Sequence, residues 1–171
     1  MDMNDTISSL ISRKIISASI AGSVFAILCG FVFPSFVGED ADTMREYMWG
    51  VVSMIPVYLM YSFPIILVYA TVTSIISDFL AGLILRGKLK KLEIYVSAIF
   101  HLLFGSILLW VSLLASIIYF VVDRFWVKKK GSHKWSQALL SLALPLLLWI
   151  IFMGIIWFAD FSKNWTEYLV N

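Results

Sequence analysis

The chain has 171 residues, of which 61% are apolar and only 14% are charged, and its net charge at pH 7 is +2. Soluble domains carry about 25% charged residues, and a soluble protein of this composition would expose too much apolar surface to stay monomeric. The composition therefore excludes an ordinary soluble domain, and the single cysteine, Cys29, excludes an intrachain disulfide.

Four runs without a formal charge follow one another, at residues 15–37, 49–77, 94–122 and 138–159. Each run reaches the length of about 20 residues with which a helix crosses the hydrocarbon core of a bilayer. Backbone groups find no water in that core, so a crossing segment must be helical. The sequence predicts an all-α integral membrane protein with four transmembrane helices, in a single membrane-embedded domain that covers residues 1–171.

The first run carries a small residue at every fourth position: Ala18, Gly22, Ala26 and Gly30. Residues four apart share one face of a helix, and a ridge of small residues lets another helix approach closely in lipid. We predict a helix-packing surface, whose partner is either another helix of this chain or a second copy.

The second run contains Pro64, which removes one backbone hydrogen bond and predicts a kink. Thr71, Ser74 and Asp78 continue the same stripe and are candidate site residues at the mouth of the membrane. Asp78 is either a carboxylate that reaches interfacial water or Arg86, or an ion or proton site. The hydroxyls of this run are alternatively bonded to their own backbone carbonyls.

A polar stripe also runs along the third segment. Its members recur at steps of three, four or seven residues: Ser97, His101, Gly105, Ser112, Ser116 and Asp123. His101 is the only ionisable side chain well inside an apolar run, which makes it a candidate for a proton relay. The alternative is a neutral imidazole hydrogen-bonded to a neighbouring helix.

The distribution of Lys and Arg sets the orientation of a membrane protein. The acidic connection at 38–50 is expected outside and the basic stretch "RGKLKK" (86–91) inside, so the N-terminus is predicted to be cytoplasmic. Four spans then leave the five bases of 124–134 outside, and the totals are seven inside against six outside. We favour four spans, since a continuous run of 29 uncharged residues usually crosses the membrane.

Two alternatives would account for this nearly even distribution of basic residues. If residues 94–122 enter and return on one side, only Arg45 and Lys163 stay outside, against eleven bases inside. The two arms of such a hairpin, at about 14 residues each, would be too short to span. The other alternative is dual topology, with copies inserted both ways as an antiparallel dimer.

The basic stretches 86–91 and 124–134 adjoin apolar runs, and the second contains Trp126. Tryptophan prefers the headgroup level and lysine reaches lipid phosphates. We predict contact with anionic lipid headgroups of the bilayer and no nucleic acid partner.

Motifs of the HExxH, GxSxG and P-loop types are absent from the sequence. One cysteine and two histidines make no convincing metal site. We therefore expect no catalytic residue, no metal and no cofactor.

The segment "PVYLMYSFPIILVYATVTSIISD" (56–78), with "RGKLKK" after it, resembles small uncharacterised multi-pass proteins of Bacillus-type bacteria. The resemblance implies four spans and a bacterial cell membrane, and it carries no substrate or catalytic residue. We expect a non-enzymatic protein with an interaction, accessory or immunity-type role, and with a second copy or another membrane protein as partner. The alternative is a small transporter or channel, such as a dual-topology homodimer.

Overall fold

A computed structural model describes residues 3–35, 41–85, 90–106, 109–127 and 133–168. All regular structure in these ranges is helical, which confirms the all-α prediction. The helices are α1 (Met3–Val32), α2 (Met44–Ile65), α3 (Thr71–Leu85), α4 (Lys90–Ser106), α5 (Leu109–Val121), α6 (Trp135–Ser141) and α7 (Ala143–Tyr168). One π-helical turn, Ile66–Ala70, joins α2 to α3, and a second, Val122–Val127, follows α5.

Three helical stretches of the described residues are long and apolar enough to cross a membrane: Ile7–Val32, Met44–Leu85 and Trp135–Trp165. They contain the first, second and fourth uncharged runs. The second stretch continues through Pro64, and its π-helical turn begins two residues later. A wider turn at this place accommodates the interruption of the hydrogen-bond ladder that proline causes.

The prediction of one helix over residues 94–122 is wrong, because these residues are divided between α4 and α5. Near the tip of this pair, a Cβ atom added to Gly105 would lie 2.3 Å from Ser116 Oγ. At the other end, an Arg124 guanidinium nitrogen donates to Ser97 Oγ at 2.8 Å. The two helices therefore form an antiparallel hairpin. An uncharged run has the same composition whether it crosses once or turns back, and the small residue at 105 permits the close return.

The small-residue ridge of α1 lies against α2 of the same chain. A Cβ atom on Gly22 would lie 2.8 Å from the ring of Phe63, and one on Gly30 would lie 2.6 Å from Ile55. Ala18 and Ala26, which complete the ridge, are fully buried. The close approach brings α1 to the centre of the molecule, where it contacts α2, α5, α6 and α7.

The C-terminal part of the chain begins beside the first turns of α1. The backbone N–H of His133 donates to Ser9 Oγ at 3.1 Å, and the hydroxyls of Ser141 and Ser19 are 3.2 Å apart. From there α7 runs along α1 and α2, and its Trp149 packs against a buried apolar cluster of Ala26, Val51, Ile55 and Leu59. Three long helical stretches thus lie side by side, and the α4–α5 hairpin comes between the second and the third of them in the chain.

Candidate functional site

Five charged side chains from distant parts of the sequence meet inside the protein. Arg13 and Lys14 come from α1, Asp78 from α3, and Asp123 and Arg124 from the π-helical turn after α5. We call these five residues the charged cluster. Lys14 is completely buried and Asp123 is 1% exposed, whereas the Asp78 side chain is 19% exposed. Asp78 is therefore the more accessible of the two carboxylates.

Lys14 is at the centre of the cluster. Its ammonium group donates to Ser74 Oγ at 2.6 Å, to Asp78 Oδ2 at 2.8 Å and to Asp123 Oδ2 at 2.8 Å. An ammonium group has three hydrogens, so each of them has an acceptor. Through this one side chain, α1 is joined to α3 and to the end of the hairpin.

Asp78 connects the cluster to both ends of the hairpin. Its Oδ1 atom accepts hydrogen bonds from Ser97 Oγ of α4, at 2.7 Å, and from the guanidinium of Arg124. Arg124 also donates to Ser97, and its guanidinium carbon lies 5.7 Å from the centre of the Phe120 ring. Charge-assisted bonds of this kind are about twice as strong as neutral ones, and they tie α4 to the turn after α5.

Asp123 is also contacted by α1, and Arg13 of that helix lies 3.5 Å from Asp78 as well. Ser17 Oγ donates to its Oδ1 atom at 3.1 Å, and Arg13 Nε lies 3.3 Å from the same oxygen. Three cations thus surround two carboxylates. Two polar atoms of the arginines, Arg13 Nε and Arg124 Nε, have no well-oriented hydrogen-bond partner among the described residues. The cluster is positive in sum, and its two carboxylates are both surrounded by donors.

The structure brings the four candidate site residues into one region, but in different roles. Ser74 and Asp78 bind Lys14 directly. The Thr71 hydroxyl lies 3.5 Å from the hydroxyl of Tyr119, which in turn donates to the backbone carbonyl of Lys14 at 3.1 Å. Thr71 therefore contacts the cluster through Tyr119.

His101 lies beside the cluster without a direct bond to it. The residue is 2% exposed, and its ring stacks on the ring of Tyr119 with the two centroids 5.5 Å apart. The ring of Phe120 is tilted against the imidazole, with a distance of 6.0 Å between the two centroids. Its Nε2 atom has no hydrogen-bond partner among the described residues. The bond to a neighbouring helix that the sequence suggested is not made by this nitrogen, and the imidazole is held by ring packing.

The polar stripe of the third run becomes the inner face of the hairpin. Ser97, His101 and Gly105 lie on α4, and Ser112, Ser116 and Asp123 lie on α5 and the turn after it. All except the half-buried Ser112 are buried. The seven-residue step from 105 to 112 passes over the tip of the hairpin, so the stripe faces inward on both arms.

Sequence reasoning did not bring the three cations to this site, and it placed Asp123 on the polar stripe of the third run without pairing it with Asp78. In the sequence, Arg13 and Lys14 only add to the bases expected on the inner side, and Arg124 belongs to the basic stretch 124–134. One signal was available, because a hairpin at 94–122 places eleven bases on one side and two on the other. The predicted contact of Asp78 with Arg86 falls outside the described residues, as do residues 86–89 and 128–132 of the two basic stretches.

The cluster is suited to holding helices together in a poorly hydrated environment. From Lys14 to Val32 the α1 helix rises about 27 Å, which is close to the ~30 Å hydrocarbon thickness of a bilayer. In the part of the chain that the structure covers, no group of three or more His, Cys, Asp or Glu side chains is placed to hold a metal ion.

Comparison with protein-family models, curated proteins and solved structures finds no match for this chain.

Proposed function

We propose that the chain is a plasma-membrane protein with three spans and a re-entrant hairpin, α4–α5, that enters from the cytoplasmic side. The supporting observation is the contact of Asp123 and Arg124 with Lys14 and Asp78, which brings both ends of the hairpin to the side where α1 begins. This arrangement leaves only Arg45 and Lys163 outside and agrees with the preference of basic residues for the cytoplasm.

The hairpin has the length expected for partial insertion. From Ser97, at the level of the cluster, to Ser106 near the tip, α4 rises about 14 Å, roughly half of the hydrocarbon thickness. The hydroxyl of Tyr69, nine residues before Asp78, donates to the backbone carbonyl of Phe104 near the tip at 2.8 Å. In the proposed topology Phe104 would lie at about mid-membrane depth, in contact with the second span.

Cysteine accessibility tests this orientation. On a Cys29→Ser background, single cysteines at Ala41, Lys134 and Ser162, all exposed positions, would be treated with an impermeant thiol reagent in intact cells. We expect labelling at 41 and 162 and protection at 134 until the membrane is permeabilised. Labelling of 134 with protection of 162 would restore four spans, and half-labelling at every position would indicate dual topology.

For activity, we propose a non-enzymatic role in which the protein acts by binding another membrane protein or a second copy. The observation that carries this proposal is the open surface of α7. In the most apolar part of α1, 56% of the residues are buried, but in the span that contains α7 the share is 6%. Leu148, Trp149 and Phe152 pack against the apolar cluster of α1 and α2, whereas most of the described side chains of α7 are exposed. Most of α7 is therefore available to a partner helix or to lipid.

The charged cluster also favours a structural rather than a transporting role. Both carboxylates are bound by cations and hydroxyls of the same chain, and the apolar cluster of Ala26, Val51, Ile55 and Leu59 packs α1 against α2. A transporter remains the second candidate. It is supported by the partial exposure of Asp78 and by the polar inner face of the hairpin.

Site-specific crosslinking separates partner binding from simple lipid exposure. A photoreactive amino acid at Ile151 or Phe158, on the open face of α7, would be compared with one at Phe152 on the packed face. We expect a discrete crosslinked species of fixed mass from 151 and 158 only. Diffuse lipid adducts alone, together with proton-coupled uptake in proteoliposomes that Asp78→Asn or His101→Ala abolishes, would favour the transporter instead.

A further inference from the structure

A cavity of about 290 Å³ lies between the hairpin and the long helices. Phe25 of α1, Ile66 and Ala70 of the π-helical turn, and Gly105 and Ala115 of the hairpin form its buried wall. On one side, the cavity is bordered by Ile65, which is 54% exposed on the outer surface of α2. The cavity therefore opens sideways, toward the surface that would face lipid.

The wall offers almost only carbon atoms, although several residues in it carry hydroxyls. Ser62 donates its hydrogen to the backbone carbonyl of Tyr58 at 2.5 Å, Thr73 to that of Tyr69 at 2.8 Å, and Ser116 to that of Leu113 at 2.9 Å. Tyr69 donates to Phe104. These four donors are used within the protein, so a polar ligand would find few hydrogen atoms to bind.

Small side chains create the space. Six of the eleven lining residues are glycine, alanine or serine, namely Ser62, Ala70, Gly105, Ser112, Ala115 and Ser116. An engineered apolar cavity of about 150 Å³ is large enough to bind benzene, and this one has nearly twice that volume. A void of this size would lose many dispersion contacts if it stayed empty, and its apolar wall disfavours water.

We propose that this cavity binds one hydrocarbon chain of a membrane amphiphile, which enters from the side past Ile65. The π-helical turn and the two arms of the hairpin line the cavity, and in the proposed topology they lie at the depth of the lipid chains. Because lipid is as apolar as the wall, the binding depends on shape and dispersion rather than on the hydrophobic effect. The proposal requires that the protein lies in a membrane, but it does not depend on any partner of α7.

Photolabelling tests the proposal in vesicles of phosphatidylethanolamine and phosphatidylglycerol that contain the purified protein. One arm would use a phospholipid with a diazirine near the end of one acyl chain, and the other a free fatty acid with the same group. We expect saturable labelling, in at least one arm, of peptides that contain residues 62–73 or 112–116. The arm that gives it identifies the source of the chain.

Variants that fill the cavity supply the decisive comparison. Ser62→Phe and Ser112→Phe place a ring at half-buried wall positions and should reduce labelling of these peptides by about threefold or more. Ser62→Ala, which removes only the hydroxyl, and Gly154→Phe, at a site with no atom within 4 Å, should leave it unchanged. Labelling spread over exposed residues of α7 and equal in all four variants would overturn the proposal, whatever the outcome of the α7 crosslinking.

Discussion

Lys14→Met is expected to destabilise the folded protein by about 3 to 5 kcal/mol, the effect of removing one partner from a buried ion pair. Methionine fills a similar volume but supplies no charge, so Asp78 and Asp123 lose the ammonium group that lies 2.8 Å from each of them. Ser74 also loses its donor. Asp123 is affected most, because it is 1% exposed and cannot exchange the lost bond for water.

Denaturant titration of the purified protein in micelles would measure this loss, with the fraction of monodisperse protein after graded heating as a second readout. Lys163→Met is the matched control, since Lys163 is exposed on α7, and we expect a change within about 0.5 kcal/mol. The double variant Lys14→Met/Asp123→Asn removes an opposite charge as well and should recover about half of the loss. Equal stability of Lys14→Met and Lys163→Met would contradict the central position of Lys14.

Gly105→Ala is expected to destabilise the protein by about 1 to 3 kcal/mol, as overpacking of a close contact does. The added Cβ atom would lie 2.3 Å from Ser116 Oγ and 2.6 Å from Ser116 Cβ. The nearer atom can rotate away, but the second is attached to the backbone of α5, so the two helices of the hairpin must separate. The same substitution in an open helix position usually stabilises by up to about 1 kcal/mol.

Gly154→Ala provides the opposite expectation in the same molecule, because a Cβ atom there meets no atom within 4 Å. Adding Ser116→Gly to Gly105→Ala removes both clashing atoms and leaves the Ser112 carbonyl at an ordinary 3.6 Å, so this pair should regain most of the lost stability. Thermal unfolding in detergent would compare the four proteins. If Gly105→Ala unfolds at the same temperature as Gly154→Ala, the two arms of the hairpin are not packed as described.

Local features of the sequence predicted the helical architecture and much of the packing surface. Ala18, Gly22, Ala26 and Gly30 recur every fourth residue, and this spacing already places them on one side of a helix. The sequence predicts that the stripe from Ser97 to Asp123 is one face of a single helix, but in the structure its members lie on the inner side of two helices, α4 and α5, and of the turn after α5. The periodic pattern is the same in both cases because the chain turns between residues 105 and 112. The seven-residue step between these positions is compatible with one continuous helix and with a hairpin of two helices.

The amino-acid sequence alone determined that this protein is helical and suited to a membrane, because uncharged length and small-residue spacing are properties of a segment by itself. Only the tertiary structure decided that residues 94–122 turn back and that Lys14 lies between Asp78 and Asp123. The composition of an uncharged run does not specify whether the run crosses the membrane or turns back, and a charged residue near its end can face either water or a partner. Here the partners are distant in the sequence, because Lys14 is 64 residues from Asp78 and 109 residues from Asp123. These side chains meet only when α1, α3 and the hairpin pack together.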